Sequence, residues 1–449
     1  MRQFRTTLKC VKGEQMTKLV AIAVALVVMS AVTVFASGQF VFPGARAVAM
    51  GSAYIGVADD LTALYWNPAG LTQLQDRQSM FSTVYVMSEV KSNRSLTNTA
   101  APDLLDGGFP IQKVYPTEPS EFSSKIMTAR AFLPFIAANR KISDITIAGG
   151  VYAIGGGAAN WSDTVAAGVD TLNADVNGSL GYVIGNVSAA KDVMPDVSVG
   201  LGLNYIYAMD NYEAKKSYVR AAGSLLPSDY QLSMAKNATG GGIQFSLGTM
   251  YKPVEILRLG LVYRNGTILK LSGKAKLYRA GLATSGLANL DYSTDYSQNT
   301  YYPTTYGVGA AYEAAKDITL SASSLLTKYT ELRDETDYSN EAVYKDTNAS
   351  KNYNDVTQVM LGAEYRINEK YAVRAGFQTD PGPVPSDKIS LLETKHHSHN
   401  IISAGLGYTT ARLRSDISYT YSMSNKPSKD GREFDLPAVS LRYTLGYDF

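Results

Sequence analysis

From about residue 77 to the C-terminus, apolar and polar positions alternate with a period of two, interrupted by short polar turns. Val197, Val199, Leu201, Leu203, Tyr205 and Tyr207 are separated by Ser198, Gly200, Gly202, Asn204 and Ile206. The pattern returns in Leu257, Leu259, Leu261 and Tyr263, in Val359, Leu361, Ala363 and Tyr365, and in Tyr371, Val373, Ala375 and Phe377. It also ends the chain, on Val439, Leu441, Tyr443, Leu445, Tyr447 and Phe449. Successive side chains of a strand point to opposite faces, so each run is a strand with one apolar face and one small or polar face. The pattern predicts strands near 77–88, 127–139, 143–155, 179–190, 195–209, 239–252 and 255–273. A second set follows near 303–313, 316–329, 354–366, 369–379, 398–410, 411–424 and 436–449. That makes fourteen, an even number as a single-chain bacterial barrel requires, although Pro134 interrupts the second strand.

The connections are unequal. Turns such as Lys252-Pro253-Val254-Glu255 and Ile367-Asn368-Glu369-Lys370 are about four residues long, whereas 210–238, 274–302, 330–353 and 380–397 are long, polar and Tyr-rich. Four strands carry a Gly-x-x-Tyr element just before a short turn: Gly248 to Tyr251, Gly309 to Tyr312, Gly362 to Tyr365 and Gly405 to Tyr408. Short turns alternating with long loops, and tyrosine girdles at both interfaces, belong to outer-membrane barrels. The fold class is therefore all-β, a 14-stranded antiparallel transmembrane β-barrel. A secreted β-sandwich is the alternative, but its strands would be shorter and its charges less confined to one face.

Composition agrees. Only 18% of the 449 residues are charged, with 31 Tyr and 38 Gly, and mean hydropathy is only -0.10. No apolar run of about 20 residues follows residue 36, so a bundle of membrane helices is excluded. A formal charge of +2 gives nucleic acid nothing to hold. Lys18, the apolar run Leu19 to Met29, and Val34-Phe35-Ala36 before Ser37 read as a secretory signal peptide over 1–36, with Met1 or Met16 as its start. Its removal takes five basic residues and one acidic residue and leaves the exported chain slightly acidic. The single cysteine, Cys10, leaves with it, so no disulfide supports the fold.

Residues 37–76 do not alternate and are rich in small residues, as in short, tightly packed helices. The stretch Ala45-Arg46-Ala47 leading to Met50-Gly51, then Ala58-Asp59-Asp60, then Trp66-Asn67-Pro68-Ala69-Gly70-Leu71, resembles the N-terminal hatch of the FadL/TodX family of outer-membrane transporters for hydrophobic compounds. With the strand count and loop asymmetry, the resemblance runs from Gly44 to Phe449. It implies a hatch (37–76) plugging a barrel (77–449), ligand capture among outer loops, and lateral release beside an irregular third strand. Long-chain fatty acids or hydrocarbons would pass without energy coupling, cofactor or catalysis, in the outer membrane of a diderm bacterium. The hatch segment Ala49-Met50-Gly51-Ser52-Ala53 is also similar to PorV-like relatives, which leaves a scaffold for secretion or surface attachment as the alternative.

On that resemblance, Asn67, Pro68 and Ala69 match the family's element near the opening, while Asn-Pro is also a turn former in its own right. Gly155, Gly156 and Gly157 suit a bulge or bend at the end of the third strand, or the start of a loop. Leu225, Leu226, Leu282, Leu287 and Leu290, in two long loops, suit an apolar capture groove or packing of one loop on the other. Register turns Arg258, Arg264, Arg374 and Arg442 into the lumen, with Glu364, Arg414 and Asp416. There they meet a carboxylate ligand, hatch acids such as Asp59 and Asp60, or one another. His396, His397 and His399 share one polar loop, which reads as solvated; neither a metal site nor a catalytic one is expected. Besides the hydrophobic cargo, the expected partners are outer-membrane lipid and the barrel assembly machinery, which would read the terminal strand ending in Phe449.

Overall fold

The structure is a computed structural model and describes residues 42–92, 124–167, 170–223, 229–281, 289–342, 344–385, 399–424, 428–429, 432–435 and 438–449. The expected leader, Leu225, Leu226, Leu282, Leu287, His396 and His397 lie outside these.

Fourteen antiparallel strands close into one barrel. They are β1 (Gln78–Ser92), β2 (Ser124–Ile142), β3 (Ile145–Ala167), β4 (Asp170–Met194), β5 (Val197–Val219) and β6 (Tyr230–Val254). β7 is Leu257–Arg264 continued by Thr267–Ala280, and β8 is Leu290–Tyr302 continued by Thr305–Ala315. Then come β9 (Ile318–Thr327), β10 (Val356–Arg366), β11 (Tyr371–Asp380), β12 (His399–Thr409), β13 (Leu413–Ser424) and β14 (Ala438–Asp448). β1 is bonded to β2 on one side and β14 on the other, which closes the ring.

The wall is inside-out relative to a soluble sheet. Along β7, Leu259, Leu261 and Tyr263 are exposed while Gly260, Val262 and Arg264 are buried, and in β9 the exposed residues are Ile318 and Leu320, the buried ones Thr319, Ser321 and Ser323. An apolar outer face needs lipid against it, and the lumen face needs only to be small or hydrogen-bonded.

Six strands, β3 to β8, run well past what the alternation predicted. β3 to β6 have 23 to 25 residues, more than twice the roughly 9–11 that a tilted strand needs to cross a bilayer. Most of the expected loop 210–238 is therefore strand, as are 274–280 and 290–302, and Leu290 opens a strand rather than sitting in a loop. Within 330–353, Arg333–Tyr338 pairs with Thr347–Ser350. Beyond the lipid both faces of a strand meet water, so apolar alternation ceases while backbone pairing continues. His399 likewise is not a solvated loop residue: it opens β12, is buried, and its Nδ1 lies 3.0 Å from Ser422 Oγ.

Inside the barrel lies the segment from Phe42 to Arg77, with helices α1 (Ala45–Ala49) and α2 (Ala63–Trp66) and a 3-10 turn over Pro68–Gln73. Its core is aromatic: Trp66 stands edge-on to Tyr65 at 5.1 Å and tilted on Phe42 at 5.0 Å, and donates Nε1 to the Pro43 carbonyl at 3.3 Å.

Candidate functional site

The hatch seats by backbone-to-wall contact, and glycines make the contact possible. A methyl group on Gly362, Gly376 or Gly405 would run into Met50, Gly51 or Ala49; on Gly260 or Gly309 it would meet Ile55 or Gly56; on Gly200 or Gly248 it would meet Pro68 or Asn67. All four glycines of the Gly-x-x-Tyr elements belong to this set. An offset of three places their tyrosines on the opposite face, and Tyr251, Tyr312, Tyr365 and Tyr408 are exposed toward lipid.

Charge fixes the seat at the short-turn end. Arg46 of α1 donates Nε to Glu364 of β10 at 2.8 Å and Nη1 to Asp59 at 2.5 Å. Glu364 also accepts Arg374 Nε at 2.6 Å, and Arg374 Nη1 reaches Asp416 at 2.7 Å. Tyr54 closes the hatch end of the chain, its hydroxyl shared between Asp60 at 2.8 Å and Asp59 at 3.0 Å. Burial, reinforced by these carboxylates, pushes the Tyr54 hydroxyl well above its ordinary range and keeps it a donor. For Asp59, burial is the largest influence and acts upward, but the charges of Arg46 and Arg258 and the hydrogen bond from Arg46 together hold the carboxyl below its ordinary value.

Asn67 is fully buried at the start of the 3-10 turn. Its Oδ1 accepts the Ala69 amide at 3.1 Å, and its Nδ2 donates to the Ile55 carbonyl at 3.1 Å and to the Thr249 carbonyl of β6 at 3.0 Å. One side chain thus caps a turn and ties two hatch segments to the wall.

The wall has a break on the side of α2. The β2–β3 ladder runs from Ile142↔Ile145 to Phe135↔Tyr152 and stops, although β2 continues to Ser124 and β3 to Ala167. The next residue of β2 is Pro134, which has no N–H to donate. On the other edge of β3 the register with β4 shifts between Ala153 and Gly156, so Ile154 and Gly155 stand against Tyr182 alone, a bulge that turns the strand. Tyr152, at the last rung, stacks tilted on Phe135 at 5.2 Å and edge-on to Tyr65 of α2 at 6.3 Å.

Behind the break is a lumen cavity of about 30 Å³. Tyr65, Tyr152, Tyr302, Ile154, Ile184 and Leu325 form its apolar wall, and Asn204, Gln244 and Arg264 its polar one. Arg264 is fixed there: its guanidinium lies 4.7 Å from the centre of the Tyr65 ring, donates to the Tyr65 carbonyl, and reaches Thr305 Oγ1 at 3.3 Å. The volume admits water but falls far short of the roughly 150 Å³ that takes up a benzene ring, so any larger guest must move side chains.

Residues 27–444 match the model of the outer membrane protein transport protein family (OMPP1/FadL/TodX). The chain belongs to this family. It is 23% identical to outer membrane protein P1 of Haemophilus influenzae over 403 residues, 84% of either chain. Its fold is that of a Pseudomonas aeruginosa FadL homologue, with a TM-score of 0.66, 18% identity, and 92% of this chain and 100% of that one covered. The Pseudomonas putida toluene transporter TodX is similar to the same degree, with a TM-score of 0.66, 15% identity, and 93% and 100% covered.

The protein is thus a FadL/TodX-type protein of the outer membrane, in a family of transport channels rather than enzymes. The candidate residues read from its sequence fall in different places. Arg374 joins Glu364, Asp416 and Arg46 in the hatch seat. Arg258 reaches Gln73 Oε1 of the hatch at 3.4 Å and Glu313 at 3.7 Å. Arg264 lines the cavity, and Arg442 stands apart on β14. Asn67, Pro68 and Ala69 pack on β5, β6 and β7 rather than on the break in the wall. Leu64, Tyr65, Phe135 and Tyr152 occupy that position, and sequence reasoning did not single them out. Pro134, noticed only as an interruption, was the signal for that break.

Proposed function

We propose that this chain is a passive channel for hydrophobic compounds, which enter the lumen from outside, pass through the cavity above the hatch and leave sideways between β2 and β3. The observation that carries this reading is the unpaired stretch of wall beyond Tyr152, directly beside a cavity lined by Tyr152 and Ile154. A hydrophobic molecule gains by moving from the lumen into lipid and has no reason to cross to an aqueous space. The aromatic and aliphatic side of the cavity suits a ring or an alkyl chain, and toluene is the cargo named for the P. putida relative. Arg264, Asn204 and Gln244 offer hydrogen bonds to a carboxylate, so a long-chain fatty acid fits the same path. Exposed Leu201, Phe245 and Leu261 supply the surface for outer-membrane lipid, and Phe449 is exposed at the chain end, where assembly machinery would read it.

Filling the cavity tests the path. Ile184→Trp puts an indole into about 30 Å³ at the mouth of the break and should stop uptake of labelled toluene and of a fatty acid into proteoliposomes, with folded protein unchanged. Uptake by Ile184→Trp equal to wild type, at equal folded protein, would remove the cavity from the route.

A further inference from the structure

On the wall away from that cavity, Arg442 of β14 is buried, with 7% of its surface exposed, and directly opposite it in register on β13 is Ser418, 1% exposed. We propose that these two residues form a binding site for one small monovalent anion, either a halide or a carboxylate group. The inference does not depend on the transport reading.

A guanidinium stays protonated at any physiological pH, and burying it without a counter-charge is costly. Arg442 donates Nη1 to Ser440 Oγ, which itself shares a hydrogen bond with Thr420, and among the described residues its Nε has no partner. The nearby lumen acids Glu364 and Asp416 are committed to Arg46 and Arg374, and among the described residues no carboxylate pairs with Arg442. The hydroxyl of Ser418 is also without a partner among the described residues. Paired residues on adjacent antiparallel strands have Cα atoms only about 4.5–5.5 Å apart, so the two unpartnered groups belong to neighbouring side chains at one level of the lumen face.

The surroundings make that spot selective. Val84 of β1 is the other cross-strand neighbour of Arg442 and is apolar and buried. From the lumen side the site is approached by α1: the Ala45 amide donates to Thr444 Oγ1 at 2.8 Å, and Gly405, which pairs with Ser418, packs on Ala49. A water molecule would satisfy both donors but not the charge, whereas an anion does both.

The test uses intact wild-type protein. Crystals are soaked in sodium bromide in one arm and grown halide-free with sodium decanoate in the other. An anomalous bromide peak within about 3.5 Å of Arg442 Nε and Ser418 Oγ supports the site and identifies a halide as a source. Carboxylate density there in the decanoate arm supports it with a ligand headgroup as a source. No bromide and no carboxylate at this position, with only an ordered water, overturns the proposal. In solution, Ser418→Ala should weaken the chloride-dependent rise in unfolding temperature by about tenfold in chloride concentration, since one hydrogen bond to a charged group is lost. Arg442→Met should abolish it. If Arg442→Met fails to fold, the wild-type soaks and Ser418→Ala decide the matter.

Discussion

Replacing Glu364 by Gln probes how the hatch is held. Glu364 accepts Arg46 Nε at 2.8 Å, Arg46 Nη2 at 3.1 Å and Arg374 Nε at 2.6 Å. Glutamine keeps one acceptor oxygen and turns an NH2 donor toward guanidinium donors. Asp59 and Asp416 remain, so each arginine keeps one carboxylate. Removing one partner of a buried ion pair costs about 3–5 kcal/mol. Part of that falls on Arg374, which belongs to the wall, and the lower end, about 3 kcal/mol, is the share that bears on seating Arg46. That corresponds to roughly a hundredfold in the equilibrium for local opening. Hydrogen exchange of the Val48 and Met50 amides, which bond to Gly44 and Arg46 within α1, reads that opening. Glu364→Gln should speed it by about a hundredfold and leave the β13–β14 ladder protected. The control is Arg414→Gln, which removes a partly exposed pair with Asp448 at 3.6 Å, worth at most about 1 kcal/mol. Equal exchange in the two variants would refute the claim that this network seats the hatch.

Acid should loosen the hatch only late. The Asp59 carboxyl lies below its ordinary value of 3.8 when folded, so its stabilisation is complete above that value and is lost as pH falls through the lower folded value. Exchange of the α1 amides should therefore show no Asp59-dependent change between about pH 7 and pH 5, and a difference between wild type and Asp59→Asn should shrink only below about pH 4. Gly376→Ala should unseat the hatch, because its methyl meets the backbone of Met50 and Gly51, whereas Gly185→Ala has open space around it. Leakage of a hydrophilic dye through proteoliposomes should rise for Gly376→Ala alone, and a tight Gly376→Ala barrel would count against backbone seating.

The barrel was legible because its outward face must be apolar wherever it meets lipid, a demand that every membrane-crossing strand repeats. Val359, Leu361 and Tyr365 are exposed where the pattern puts them. The outer halves of β3 to β6 carry no such demand, and runs such as Asn211 to Val219 pair as strand without announcing it. The hatch seat was half visible. Gly-x-x-Tyr at four turns could be read from the chain, but not that each glycine receives the hatch while each tyrosine faces lipid. The Arg46–Glu364 pair spans 318 residues, and no local pattern links its ends. The pocket was hidden for the same reason: Tyr65, Tyr152, Ile184 and Tyr302 belong to different elements and meet only on closure of the ring.

The central claim is that cargo leaves through the break between β2 and β3, and stapling the break tests it most directly. Leu133 of β2 and Ala153 of β3 share one buried apolar cluster just beyond the last rung, Phe135↔Tyr152. The only native cysteine is Cys10, in the expected leader, so Leu133→Cys with Ala153→Cys leaves a single thiol pair to oxidise in the exported protein. With the disulfide verified by mass, uptake of labelled toluene into proteoliposomes should fall toward the protein-free rate, and reduction should restore it. Full uptake by the stapled barrel would contradict lateral exit at this place.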